Sequence, residues 1–142
     1  MGAWLLDHFS GKRWLAQQQW AARERYYVEL LGHLTKAEMS LQAQSEYYAA
    51  PGSEDYDYSK DERFTELGRT AGKVLHAVEE LAGTAALFLS QKAIDALQEL
   101  VREDWHASFD TTPDEYLNKA LPFVRTAKAA VLAAAKAELA PT

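Results

Sequence analysis

From Lys12 to Tyr48 the chain reads KRWLAQQQWAARERYYVELLGHLTKAEMSLQAQSEYY, with no proline and a single glycine. Apolar residues return at Trp20, Tyr27, Leu30, Leu31, Leu34, Ala37, Leu41 and Tyr48. Steps of three, four and seven put these side chains on one face of an α-helix, whereas a strand would alternate. A helix of about 37 residues is about 55 Å long, so the pattern also calls for long partners.

The partners follow in order. Residues 49–58, AAPGSEDYDY, break the helix at Pro51 and Gly52 and continue as an acidic, tyrosine-bearing loop. Ser59-Lys60-Asp61-Glu62 reads as a capping box with Ser59 as N-cap. A second helix is expected over about 60–89, with Phe64, Leu67, Ala71, Val74, Leu75, Val78, Leu81, Ala82, Ala85 and Leu89 inward. Gly68, Gly72 and Gly83 sit beside that stripe, where they would let a neighbouring backbone come close. Ser90 caps a third helix, about 91–106, presenting Ile94, Leu97, Val101 and Trp105 without an intervening loop. Thr112-Pro113-Asp114-Glu115 is another capping box with proline at the first helical position. The fourth helix, about 113–139, buries Leu117, Ala120, Leu121, Val124, Ala127, Val131, Ala134 and Ala135, and Pro122 is expected to kink it or shift its start.

No segment shows strand periodicity, and no repeat recurs at a fixed period. The expected fold is all-α: one domain over 1–142, an antiparallel up-down-up-down four-helix bundle with a long first helix. Residues 1–11, MGAWLLDHFSG, form a short lead-in expected to fold onto the bundle. Trp4, Leu5 and Phe9, followed by Lys12 and Arg13, also suit peripheral contact with a membrane interface.

The 142 residues are 48% hydrophobic and 25% charged, the balance of an ordinary folded domain. Asp and Glu number 21 against 15 Lys and Arg, for a net charge of −6. Phosphate backbones are bound by clustered positive charge, and no basic run here exceeds two residues, so no nucleic-acid partner is expected. The absence of cysteine removes disulfides, thiolate metal sites and cysteine nucleophiles. No apolar run nears the roughly 20 residues that span a bilayer, and the start lacks a signal-peptide core. A cytoplasmic place is expected, at the inner membrane face if the lead-in engages it.

Chemistry is sparse. His33 follows Glu29 by four residues and His76 precedes Glu79 by three, and neither pair has the Glu-x-x-His spacing of di-metal bundles. No metal or cofactor is expected. Glycine-rich phosphate loops, nucleophile elbows and Ser/His/Asp groupings are also lacking. Arg69 and His76, in R-T-A-G-K-V-L-H, resemble the Arg-to-His spacing of RNA-cutting bundles of the HEPN type, which would make those two residues catalytic. Six of the seven tyrosines occur in pairs or near-pairs, and tyrosine is favoured at interfaces. On the first helix Ala21, Val28, Thr35 and Met39 make a second, weaker apolar stripe facing outward. Val28, Met39, Tyr47, Tyr56 and Tyr58 are therefore the candidate interaction surface.

W-A-A-R-E-R-Y-Y-V-E-L-L (20–31), A-L-F-L-S-Q-K-A-I-D-A-L (86–97) and A-V-L-A-A-A-K-A-E-L (130–139) resemble a group of uncharacterised bacterial helical proteins. Members are often preceded by a membrane-spanning or coiled segment. The resemblance implies a helical bundle and carries no activity or site residue. It leaves two expectations: a soluble protein, or a chain whose displayed part begins after a spanning helix. The leading functional expectation is a non-enzymatic interaction or scaffold bundle that binds a protein or itself. Its alternatives are the ribonuclease just described and a small acidic inhibitor or immunity-type protein binding a basic partner through loop 53–62.

Overall fold

The computed structural model describes residues 2–49, 61–107 and 113–140, with side chains over 14–46, 61–104 and 115–140. Among these residues the chain is all-helical: α1 (Gly2–Ala49), α2 (Glu62–Thr84), α3 (Gln91–Ala107) and α4 (Pro113–Leu139), with no strand. α1 packs against both α2 and α4, and α3 packs against α4. The α2–α3 contact is the thinnest of the four, and among the described residues the diagonal pairs bring no Cα atoms within 8 Å of each other. The helices thus form a ring around one core.

Each expected stripe supplies that core. Tyr27, Leu30, Leu34, Ala37 and Leu41 come from α1, and Phe64, Ala71, Val74, Leu75 and Val78 from α2. Leu117, Leu121, Val124 and Val131 close it from α4, with Ala120, Ala127 and Ala135 letting neighbours approach closely. A buried apolar side chain of this size contributes about 1.5–3 kcal/mol relative to exposure, so these contacts hold the helices together.

Several local expectations are corrected. The lead-in is not separate, because α1 is helical from Gly2 onward. Trp20 was expected inward and is instead 45% exposed. The packed end of the core lies one turn further on, where Arg23, Tyr27 and Glu138 meet the turn after α2. All described side chains from 14 to 21 are exposed. α2 stops at Thr84 rather than Leu89. The Ala85 carbonyl accepts from both Phe88 N–H and Leu89 N–H, at 2.9 and 3.2 Å, and this tight turn re-aims the chain before α3. Ala85 and Leu89 are still buried, while Leu87 points into solvent.

α2 begins two residues late. Asp61, not Ser59, is its N-cap: the Asp61 carboxylate accepts from Phe64 N–H at 2.8 Å. Both are good capping residues, and the charge of aspartate adds favourable interaction with the helix dipole. Ser59 lies outside the described residues. Ser90 caps α3 as expected, accepting from Ala93 N–H at 3.2 Å. α3 is turned slightly from its expected face, burying Ala93 and Leu100 and leaving Val101 half-buried. The side chain of Trp105 lies outside the described residues. α4 is continuous through Pro122, which sits on the exposed face, where the carbonyl left without an N–H partner meets water.

Candidate functional site

Three places in the fold gather polar or exposed groups. The first is a knot at the end of the core. Tyr27 is fully buried, and its hydroxyl oxygen accepts the Ser90 N–H at 3.1 Å. Arg23 Nε donates to the Phe88 carbonyl at 3.0 Å and lies 3.3 Å from Glu138 Oε2. That Glu138 oxygen is buried without a directed hydrogen bond and lies against the guanidinium charge. Burial raises the Tyr27 phenol above its ordinary value; the Ser90 N–H opposes the rise and the Glu138 carboxylate adds to it. The Tyr26 and Phe88 rings stack 5.4 Å apart beside the knot. These groups fasten α1, the α2–α3 turn and α4 to one another. Arg23, Tyr27 and Ser90 are engaged with one another's elements and Glu138 sits against Arg23, so the knot is structural.

The second place is a groove between α2 and α3, where the ring is thinnest. It encloses about 720 Å³ between Gly72, Leu75, Ala82 and Gly83 on one side and Ile94 and Val101 on the other. His76 and Glu79 on α2, and Gln98, Arg102 and Asp104 on α3, edge it. The edge charges are spoken for. His76 Nε2 lies 3.1 Å from Glu80, and Arg102 pairs with Glu99 and Glu103. Arg102 holds the Glu99 carboxyl below its ordinary value. Asp104 accepts from the Tyr116 hydroxyl at 2.5 Å, and burial with that contact pushes the Tyr116 phenol well up. Gly72 and Gly83 have open space where a Cβ would stand, so they admit no neighbouring backbone, contrary to expectation.

The same segment carries the expected nuclease pair. Arg69 and His76 are both exposed on α2, seven residues apart, hence about 10 Å along the axis. Only His76 reaches the groove. Arg69 is bound to Glu66 at 3.3 Å and His76 is flanked by Glu79 and Glu80. Carboxylates within an ion-pair distance of both groups make a poor setting for a phosphate. The structure does not bring the two residues together around one point. Among the described residues no three His, Asp or Glu side chains group to hold a metal ion.

The third place is the outer face of α1. Val28 is 63% exposed and Met39 67%. Ala21 and Gly32 are exposed on the same face and Thr35 is half-buried. Among the described residues nothing lies within 4 Å of where a Cβ on Gly32 would be. Towards α4 this face is bordered by Glu38, held by Arg125 at 3.4 Å and Lys128 at 3.2 Å. Gln42 accepts from Arg125 at 2.7 Å. Those pairs fix α1's rotation, so Val28 and Met39 stay outward. Of the other expected interface residues, the side chain of Tyr47 and all of Tyr56 and Tyr58 lie outside the described residues, as do the side chains of Trp4, Leu5 and Phe9.

Sequence reasoning missed Ser40 and Gln44, which are buried on α1. Gln44 Nε2 donates to the Phe64 carbonyl at 3.0 Å, and Gly68 sits against it. Their only signal was position: both fall next to the apolar stripe at helical spacing. No described helix is long and apolar enough to cross a membrane. Comparison with known protein families, curated proteins and solved structures gives no match to this chain.

Proposed function

We propose that the protein is a non-enzymatic interaction or scaffold bundle whose working surface is the outer face of α1. One observation carries this reading. α1 has a saturated inner face and, opposite it, large apolar side chains at Val28 and Met39 that no described residue covers. Scattered apolar residues are normal on a surface, but these share one helix face with Ala21, Gly32 and Thr35. The reading takes the helices as up-down-up-down, with α1 as the long spine. The short turn between α2 and α3 and the meeting of Arg23 with both Phe88 and Glu138 support that order.

The test uses the double variant Val28→Asp, Met39→Glu. Both positions are exposed, so thermal stability should move by no more than about 0.5 kcal/mol. Proteins retained from source-cell lysate by the wild type, its own chain included, should be lost by the variant. An identical pattern from both would remove the outer face of α1 from consideration.

A further inference from the structure

The outer face of α1 repeats every seven residues. Ala21, Val28 and Thr35 form one column, and Arg25, Gly32 and Met39 the other. At 100° per residue the two columns lie opposite the core residues Tyr27, Leu30, Leu34 and Leu41. Alternating steps of three and four on a continuous helix are the spacing with which two helices make a shared seam. The seam from Ala21 to Met39 is about 27 Å long, enough for several layers.

Gly32 sits at its centre. Glycine inside a helix is unfavourable relative to alanine, and Gly32 returns nothing among the described residues, since none of their atoms approaches its vacant Cβ position. Gly68 differs, because Gln44 occupies its space. A second helix lying over Gly32 would use the gap.

Charge selects which helix. Glu29 and Lys36 stand seven residues apart on one flank of the seam, both exposed and without an ion pair among the described residues. A two-fold axis near residues 33–34, perpendicular to α1, sets Glu29 beside the partner's Lys36 and repeats that contact by symmetry. The same register sets Val28 against the partner's Met39 and Thr35 over the partner's Gly32. Large residues thus meet neighbours across the seam, and the bulk of threonine meets the gap. A parallel pair would instead bring Glu24 beside the partner's Glu29, two like charges.

We infer that this face docks against a second copy of the chain, α1 on α1 and antiparallel. The inference rests on the outer face being an interaction surface, and it names the occupant. A self-complementary patch of this kind closes as a two-fold dimer and does not propagate into a filament.

The chain has no cysteine, so introduced ones report cleanly. Val28→Cys and Met39→Cys chains, made separately, mixed and mildly oxidised, should give the mixed disulfide in preference to either self-linked species. Self-linked Val28→Cys as the main product would mean a parallel pair and overturn the inference. A sedimentation mass of one chain at high concentration, with no cross-link, would overturn it too. Charge reversal supplies the second measurement. Glu29→Lys or Lys36→Glu alone should weaken association, by roughly tenfold for the two symmetric contacts, and the two together should restore it. A monomer that still loses lysate partners on Val28→Asp, Met39→Glu refutes the second copy and leaves the interaction surface standing. Lysate capture indifferent to that variant refutes the surface itself.

Discussion

A glycine within a helix is informative through what fills the space its missing side chain leaves. At Gly68 the amide of Gln44 stands 2.8 Å from where a Cβ would be, while donating to the Phe64 carbonyl. Gly68→Ala would dislodge that buried amide, costing about 1–3 kcal/mol, against a helix gain of about 1 kcal/mol. Gly72→Ala and Gly83→Ala meet open space and should stabilise by about 0.5–1 kcal/mol each. Urea melts of the three variants should therefore show one lower midpoint and two higher. Tyr27 and Tyr116 carry the pH dependence. Both phenols are raised above their ordinary value near 10, chiefly by burial. Folding therefore favours the neutral form. The resulting stability is complete below the unfolded value and is lost as pH climbs through the folded one. Thermal midpoints should fall above about pH 10, and Tyr27→Phe with Tyr116→Phe should flatten that fall. Tyr27→Phe alone should also cost about 1 kcal/mol at neutral pH, through the lost Ser90 contact.

At the scale of elements, periodicity was the more reliable signal: Ser90 caps α3 as expected, whereas the end signals of α2 misled. The α1, α2 and α4 stripes were legible because a 3.6-residue period over many turns leaves few alternatives. The start of α2 was not, because Ser59 and Asp61 are comparable caps two residues apart and local sequence scarcely ranks them. The aspartate cap predicts that Asp61→Ala lowers stability by about 1 kcal/mol, read from denaturant midpoints at an unchanged slope. The C-terminus of α2 was missed for a related reason. Ala85 and Leu89 are buried and extend the stripe, yet the backbone between them turns back on the Ala85 carbonyl. Burial pattern alone cannot distinguish a further helical turn from a tight turn that buries the same residues.

For the molecule as a whole, composition and pattern together pointed to a helical bundle, and the ring of four packed helices follows from their apolar faces. The position of the core's end along α1 was less legible. Trp20 continues the apolar spacing, but α4 ends at Leu139 and the α2–α3 turn meets α1 at Arg23, leaving no described residue to cover it. Likewise, no single helix reveals that α2 and α3 meet least, because that property belongs to pairs. The candidate surface was half legible: the outward placing of Val28 and Met39 could be read from helical geometry, whereas the open space over Gly32 needed the neighbours in place.

The exposed stretch of α1 also decides how the protein looks to light. Trp14 and Trp20 are in solvent, while among the described residues the buried core contains no indole and has Tyr27 as its largest ring. Emission from those two tryptophans should already be that of hydrated indole in the native state. With Trp4 and Trp105 replaced by phenylalanine, urea should shift it little while helical circular dichroism collapses, so the two probes will disagree without any folding intermediate. The same indoles become a sensitive reporter for whatever covers the beginning of α1: a shift to shorter wavelength on adding a partner or lipid vesicles would mark contact there, and not a change in the bundle.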